Sequence, residues 1–270
     1  MRTFTRFLIA LFLVEFFLVA CSTVPVTGRK QLSLIPDSEM LAMSFSQYDQ
    51  FLKASKVSRN SSQTEMVKRV GHKIERAVTE YLTSLNYADM IANYKWEFNL
   101  VEDPIVNAWC MPGGKVVVYT GILPVTKNET GLAVVMGHEI AHAIAEHGNE
   151  RMSQELIRQM GGVALSAAVR DKPEETKALW FAAYGLGSQV GIMLPYSRMH
   201  ESEADQMGLI FMAMAGYDPR QAPVFWERMA KSGGQKPPEW LSTHPSDETR
   251  INKLNGWMPD ALQYYNAAVN

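Results

Sequence analysis

The sequence predicts an α+β fold that is mostly helical, with a small antiparallel sheet placed ahead of the helix that carries His138. Three observations lead there. Strand-like alternation is confined to residues 94–120. From Thr126 to the end, apolar residues recur at helical spacing. Two further helical stripes, over residues 39–53 and from Ser61 or Ser62 to Val78, precede the strands.

Taken in order, the first twenty residues differ from the rest. Arg2 and Arg6 are followed by an apolar run over residues 7–19, broken only by Glu15, and then by Leu18-Val19-Ala20-Cys21. Basic start, apolar middle and small residues before a cysteine read as an export signal over residues 1–20. The order resembles a lipobox, in which Cys21 is lipidated and becomes the mature N-terminus; an uncleaved membrane anchor is the alternative. Uncharged Ser22 fits delivery to the outer membrane, on its periplasmic side. Residues 21–36 are rich in Pro, Gly, Thr and Ser and read as a tether, and residues 37–260 as one domain.

Asp37-Ser38 is placed to cap the first helix, and Ser61 or Ser62 the second, whose stripe is Met66, Val67, Val70, Ile74 and Val78. Residues 94–101, 107–111 and 115–120 read as strands, the last two joined at Pro112-Gly113-Gly114 as a hairpin. Thr126 and Glu129 match a capping box ahead of Leu132, Val135, Ile140, Ala143 and Ile144. Further helices fit residues 149–169, 197–215, 221–231 and 247–254. Residues 178–194 are apolar but short for a span, which needs ~20 residues, and carry Gly185, Gly187 and Gly191. They read as a buried or lid-like segment.

Composition excludes some classes. The 270 residues carry a net charge of -2 and no basic stripe, so nucleic acid is not an expected partner. With only Cys21 and Cys110 there is no disulfide framework and no cysteine metal cluster, and Cys110 reads as an inert buried thiol.

The chemistry lies in Gly137-His138-Glu139-Ile140-Ala141-His142. Histidines at i and i+4 share a helical face, so both imidazoles can reach one metal. Glu139 points about 100° round the helix, suited to acting on water rather than ligating. A catalytic zinc takes three protein ligands and leaves a position open. His147, about 180° round the helix from His138, should face away and is not a candidate third ligand. In Ser197-Arg198-Met199-His200-Glu201-Ser202-Glu203-Ala204-Asp205, Glu201 and Asp205 share a face while Glu203 points elsewhere. Glu201 would bind zinc, and Asp205 would accept the spare N–H of a ligating histidine. A solvated acidic face is the alternative, opposed by the apolar run Met207, Leu209, Ile210, Phe211 and Met212.

Four motifs together resemble peptidase family M48: Asn107-Ala108-Trp109 with Pro112-Gly113-Gly114; residues 137–142; residues 197–205; and His244-Pro245 with Arg250. The resemblance implies a zincin fold of gluzincin type, one Zn2+ per chain, Glu201 as third ligand and Asp205 as the family's aspartate. With no clear membrane helices in the domain, the likeness is closest to the soluble, lipid-tethered branch. It implies a zinc metalloendopeptidase of the bacterial envelope acting on unfolded or misassembled polypeptides, with Glu139 as general base. A chaperone-like or assembly lipoprotein with little proteolytic turnover is the alternative. Arg198, one turn before Glu201, is either an oxyanion donor or an ion-pair partner of Asp205. His244, kept out of helix by Pro245, is the remaining imidazole for the site, as oxyanion donor or as a latch on the metal's open position.

Overall fold

In the computed structural model, residues 21–189, 193–232 and 248–270 are described. The export signal expected over residues 1–20, and His244, lie outside them. The elements run β1 (Cys21–Thr23), β2 (Lys30–Leu32), α1 (Asp37–Ala54), α2 (Ser61–Ser84), β3 (Glu97–Val101), β4 (Ala108–Met111), β5 (Lys115–Tyr119), α3 (Leu123–Thr126), α4 (Glu129–Ile144), α5 (His147–Ala168), α6 (Glu174–Ser188), α7 (Leu194–Met214), α8 (Gln221–Ser232) and α9 (Glu248–Val269). The fold is mostly helical, and each expected helix and strand is present with shifted ends.

The caps differ from those expected. Helix α1 starts after Pro36 with no side-chain cap. Asn60, not a serine, caps α2 by accepting from the Gln63 N–H. Asn128 does the same for α4, from Gly131 N at 2.9 Å, while Thr126 closes the short α3 and bonds Leu123 O at 3.0 Å. Asparagine satisfies an orphan N–H as well as serine does. Helix α9 runs through Pro259 to Val269, well beyond the expected Leu254.

The sheet order is β3-β5-β4. The β4–β5 hairpin is antiparallel as expected, but β3 pairs with β5 in parallel, so the sheet is mixed rather than antiparallel. The cause is the link after β3. It crosses the end of β5, where the Thr120 hydroxyl accepts from Asp103 N–H at 3.1 Å and donates to Asp103 O at 2.9 Å. That sets β3 on the far edge of β5. Central pairing suits β5, whose Val116, Val117 and Val118 are fully buried. The arrangement leaves β4 at an edge.

Helix α4 is the core of the molecule. Every residue from Gly131 to Ile144 is buried, which marks a helix packed on all sides rather than an amphipathic one. The α2 stripe Val67, Val70, Ile74 and Val78 packs into the same core, as do Met207, Leu209 and Phe211 of α7 and Phe225 and Trp226 of α8.

Two regions depart from expectation. Residues 21–36 are not a free tether: β1 and β2 pair antiparallel, and Val24 is fully buried. The segment is bonded to α5 through Asn149 Nδ2 to Ile35 O at 2.8 Å and Leu34 N to Ser153 Oγ at 2.9 Å. Small polar residues here serve a docked hairpin. Residues 178–194, expected to be buried or lid-like, lie largely in α6, and there the buried alternative fails, since Ser188 is its one buried residue. Leu179 and Leu186 are 71% and 68% exposed. Tyr184 OH joins the helix to Arg158 O of α5 at 2.7 Å. No described helix is long and apolar enough to cross a membrane.

Candidate metal centre

Helix α4 supplies His138, Glu139 and His142, and α7 supplies Glu201 and Asp205. The helices meet at Gly137 and Gly208, where a Cβ on Gly208 would stand 2.9 Å from the Gly137 carbonyl carbon. That close approach brings the Glu201 carboxylate to the histidines. His138 Nε2 and His142 Nε2 are 3.1 Å apart. Glu201 Oε2 is 3.3 Å from His138 Nε2, and its Oε1 is 3.3 Å from His142 Nε2. The edges of a tetrahedron around zinc, with bonds of ~2.0–2.1 Å, are about 3.3 Å. The donor set therefore fits a zinc ion in both chemistry and spacing, and among the described residues it is the group so arranged.

The two histidines sit in opposite electrostatic environments. His138 Nδ1 lies 2.9 Å from Asp205 Oδ1. Burial opposes charge on His138, but the bonds to Asp205 and Glu201 outweigh it and raise its pKa to about 9. His142 is governed by burial, which lowers its pKa to about 3. Burial also opposes ionisation of Asp205, yet Arg250 and His138 hold its pKa below the usual carboxylate value.

The arginine that holds Asp205 is Arg250 of α9, at 2.6 Å. Its guanidinium carbon lies 3.1 Å from the Trp226 ring centroid, a cation–π contact inside the core. Arg198 is exposed on α7, so the ion pair considered for it belongs to Arg250 instead. The sequence placed Arg250 in a motif without revealing its partner, because 45 residues separate it from Asp205.

His147 does not face away. Helix α4 ends after Ile144, and Glu146 adopts φ 55, ψ 29, a left-handed turn. The chain reverses, and His147 Nδ1 comes to 2.8 Å from His142 Nδ1. His147 Nε2 lies 3.0 Å from Glu203, which points at it rather than elsewhere. His147 is thus a neighbour of a ligand and not part of the donor set. No glycine or proline stands at positions 145 or 146 to signal the break.

A cleft of about 1030 Å³ opens over the donors, lined by Asn107, Trp109, Cys110, Glu139, His142 and Glu201 among others. Edge strand β4 forms one wall. Cys110 is half-buried there, and burial pushes its thiol pKa well up, which suits an unreactive thiol.

Two histidines one turn apart, a glutamate beside the first and a carboxylate from a second helix define a metallopeptidase class of site. Residues 68–258 match peptidase family M48, and the chain belongs to that family. It is 39% identical over 180 residues to the mitochondrial metalloendopeptidase OMA1 of Schizosaccharomyces pombe, covering 63% of this chain and 49% of that protein. It is 34% identical over 266 residues to the OMA1 metalloendopeptidase of Bos taurus, covering 94% and 49%. To the beta-barrel assembly-enhancing protease of Escherichia coli it is 28% identical over 204 residues, covering 69% and 41%. The chain spans about half the length, or less, of these relatives.

Proposed function

We propose that the chain is a zinc-dependent metalloendopeptidase with one Zn2+ held by His138, His142 and Glu201. The observation that carries this is the cluster beside the cleft in which His138 Nε2 and His142 Nε2 stand 3.1 Å apart and each lies 3.3 Å from one oxygen of the Glu201 carboxylate. When bound, zinc supplies Lewis acidity toward the scissile carbonyl and toward water. Asp205 fixes the His138 ring by accepting from Nδ1, which leaves Nε2 for the metal. Glu139 takes a proton from the attacking water and hands it to the leaving amine. Among the described residues β4 pairs only with β5, so its outer edge offers backbone groups to an extended substrate.

The substrate reading is unfolded or misassembled polypeptide. Support comes from the open cleft and from the apolar side chains Met152 and Leu156, which line it and are also 42% and 43% exposed. The location read for the chain is the bacterial envelope, lipid-anchored at Cys21 to the outer membrane on its periplasmic side. Its support is the Leu18-Val19-Ala20-Cys21 order and the exposure of Cys21 at the start of β1. With the following residues docked on α5, such an anchor would hold the domain close against the bilayer.

Purified protein is expected to hold one zinc per chain by elemental analysis and to hydrolyse casein, with both lost on chelation. Zinc-free protein that still cleaves casein would overturn the reading. Labelled palmitate should enter the wild type and not Cys21→Ala; label in that variant would exclude the anchor.

A further inference from the structure

Behind His142 lies a buried polar network that the reaction above does not use. It begins in the N-terminal hairpin, where Gly28, at φ +70, turns the chain so that Arg29 faces inward. Arg29 Nε donates to Glu203 Oε2 at 2.9 Å. Its two terminal nitrogens reach Glu150 as a fork, at 3.0 and 2.8 Å. Thr27 also donates its hydroxyl to Glu203. His200 Nε2 completes Glu150 at 2.8 Å, and the His200 ring stacks on His147 with centroids 4.2 Å apart. Glu150 and His200 are each 2% exposed, Glu203 6% and His147 fully buried. Two buried carboxylates thus share one guanidinium, and a buried charge that loses its partner is costly.

The hydrogen bonds have only one consistent direction. If His142 Nε2 binds a cation, its proton sits on Nδ1 and is donated to His147 Nδ1. His147 must then carry its own proton on Nε2, which it donates to Glu203. Glu203 accepts that N–H at Oε2, the same oxygen that accepts from Arg29 Nε. Each link sets the tautomer of the next.

We propose that Arg29 is a positioning residue for the metal ligand His142, acting through Glu203 and His147 to keep the His142 Nε2 lone pair directed at the metal. The docked N-terminal hairpin is then part of the metal site. This rests on the zinc site proposed above. Partners outside the ligand set typically change metal affinity by about 10–100-fold, and two links of separation place Arg29 at the lower end.

The test compares wild type, Arg29→Ala, Arg29→Lys and Lys30→Ala, the last a control at the next position in the hairpin, with an exposed side chain. Zinc affinity is measured by chelator competition, the site by the visible spectrum of the Co2+-substituted protein, and the tautomers by ¹⁵N shifts of labelled imidazoles. Circular dichroism checks folding. Arg29→Ala is expected to weaken zinc binding about tenfold, to shift the Co2+ bands and to disturb the His142 and His147 nitrogen shifts. Arg29→Lys, which keeps charge without the fork, should recover part of this, and Lys30→Ala should match wild type. Should Arg29→Ala unfold, Arg29→Lys carries the test, with a smaller loss in the same direction. Folded Arg29 variants with wild-type affinity and spectra would overturn this inference alone. Wild type that binds no zinc would overturn the proposed function as well.

Discussion

Gly208 of α7 stands directly against the backbone of Gly137 of α4. A Cβ on Gly208 would lie 2.9 Å from both the Gly137 carbonyl carbon and His138 N. The obstacle is backbone, which cannot swing aside as a side chain can. Gly208→Ala is therefore a contest of two effects. Alanine gains about 1 kcal/mol of helix propensity over glycine. Forcing an extra methyl into a packed contact costs typically about 1–3 kcal/mol. The clash is expected to win, with a lower Tm and weaker zinc binding as α7 is pushed from the histidines. A raised Tm by thermal denaturation would show that the helix separation is not fixed by the glycines.

Glu139→Gln should keep the fold and the zinc while turnover falls about 10²–10⁴-fold, the usual worth of a positioned acid–base group. All three donors remain in this variant, and only proton transfer is removed. Casein hydrolysis and zinc content, measured on the same preparation, check it. Loss of the metal would show that Glu139 holds it.

Glu201→Ala and His147→Ala separate a ligand from its support. The first leaves two imidazoles where a catalytic zinc takes three protein ligands. The second leaves all three donors and removes the partner that lies 2.8 Å from His142 Nδ1. Zinc affinity should fall further in Glu201→Ala, and by about 10–100-fold in His147→Ala. Dialysis against a graded chelator series ranks them. The opposite order would make His147 the third ligand.

What could be read in advance follows the range of each signal. His138 and His142 lie one turn apart on one helix, and Glu201 and Asp205 one turn apart on another, so helical periodicity alone grouped each pair. The relation of Asp205 to Arg250 and of Glu203 to His147 depends on tertiary packing, which no local spacing encodes. Helical spacing misplaces His147 because α4 ends before Glu146, whose left-handed conformation no glycine announces. The hairpin at Gly113 and Gly114 was visible because both residues take positive φ. The parallel partner of β5 was not, since it depends on where the link after β3 crosses. Residues 21–36 read as a tether by composition, yet Arg29 within them is anchored by two buried carboxylates.

Glu150 gives the network a pH signature. Burial opposes its ionisation, but the hydrogen bond from His200 and the Arg29 fork outweigh it, so its pKa is lowered from the usual 4.5. A carboxylate with a folded pKa below its unfolded one contributes stability that is fully present above the unfolded value. That stability is lost as pH falls through the folded value. The charged and titratable groups facing Glu150 are Arg29 from the N-terminal hairpin and His200 from α7, with Glu203 sharing Arg29 and His147 stacked on His200. Glu150→Gln keeps the shape and removes the charge. It should melt below wild type at pH 7, and the gap in Tm should narrow as the pH drops below about 4.5. Both proteins are scanned with chelator present, so that metal release does not enter the comparison. A gap that stays constant from pH 7 to pH 3 would mean that the carboxylate charge is not what the substitution removes, and the contribution would then belong to hydrogen-bond geometry alone.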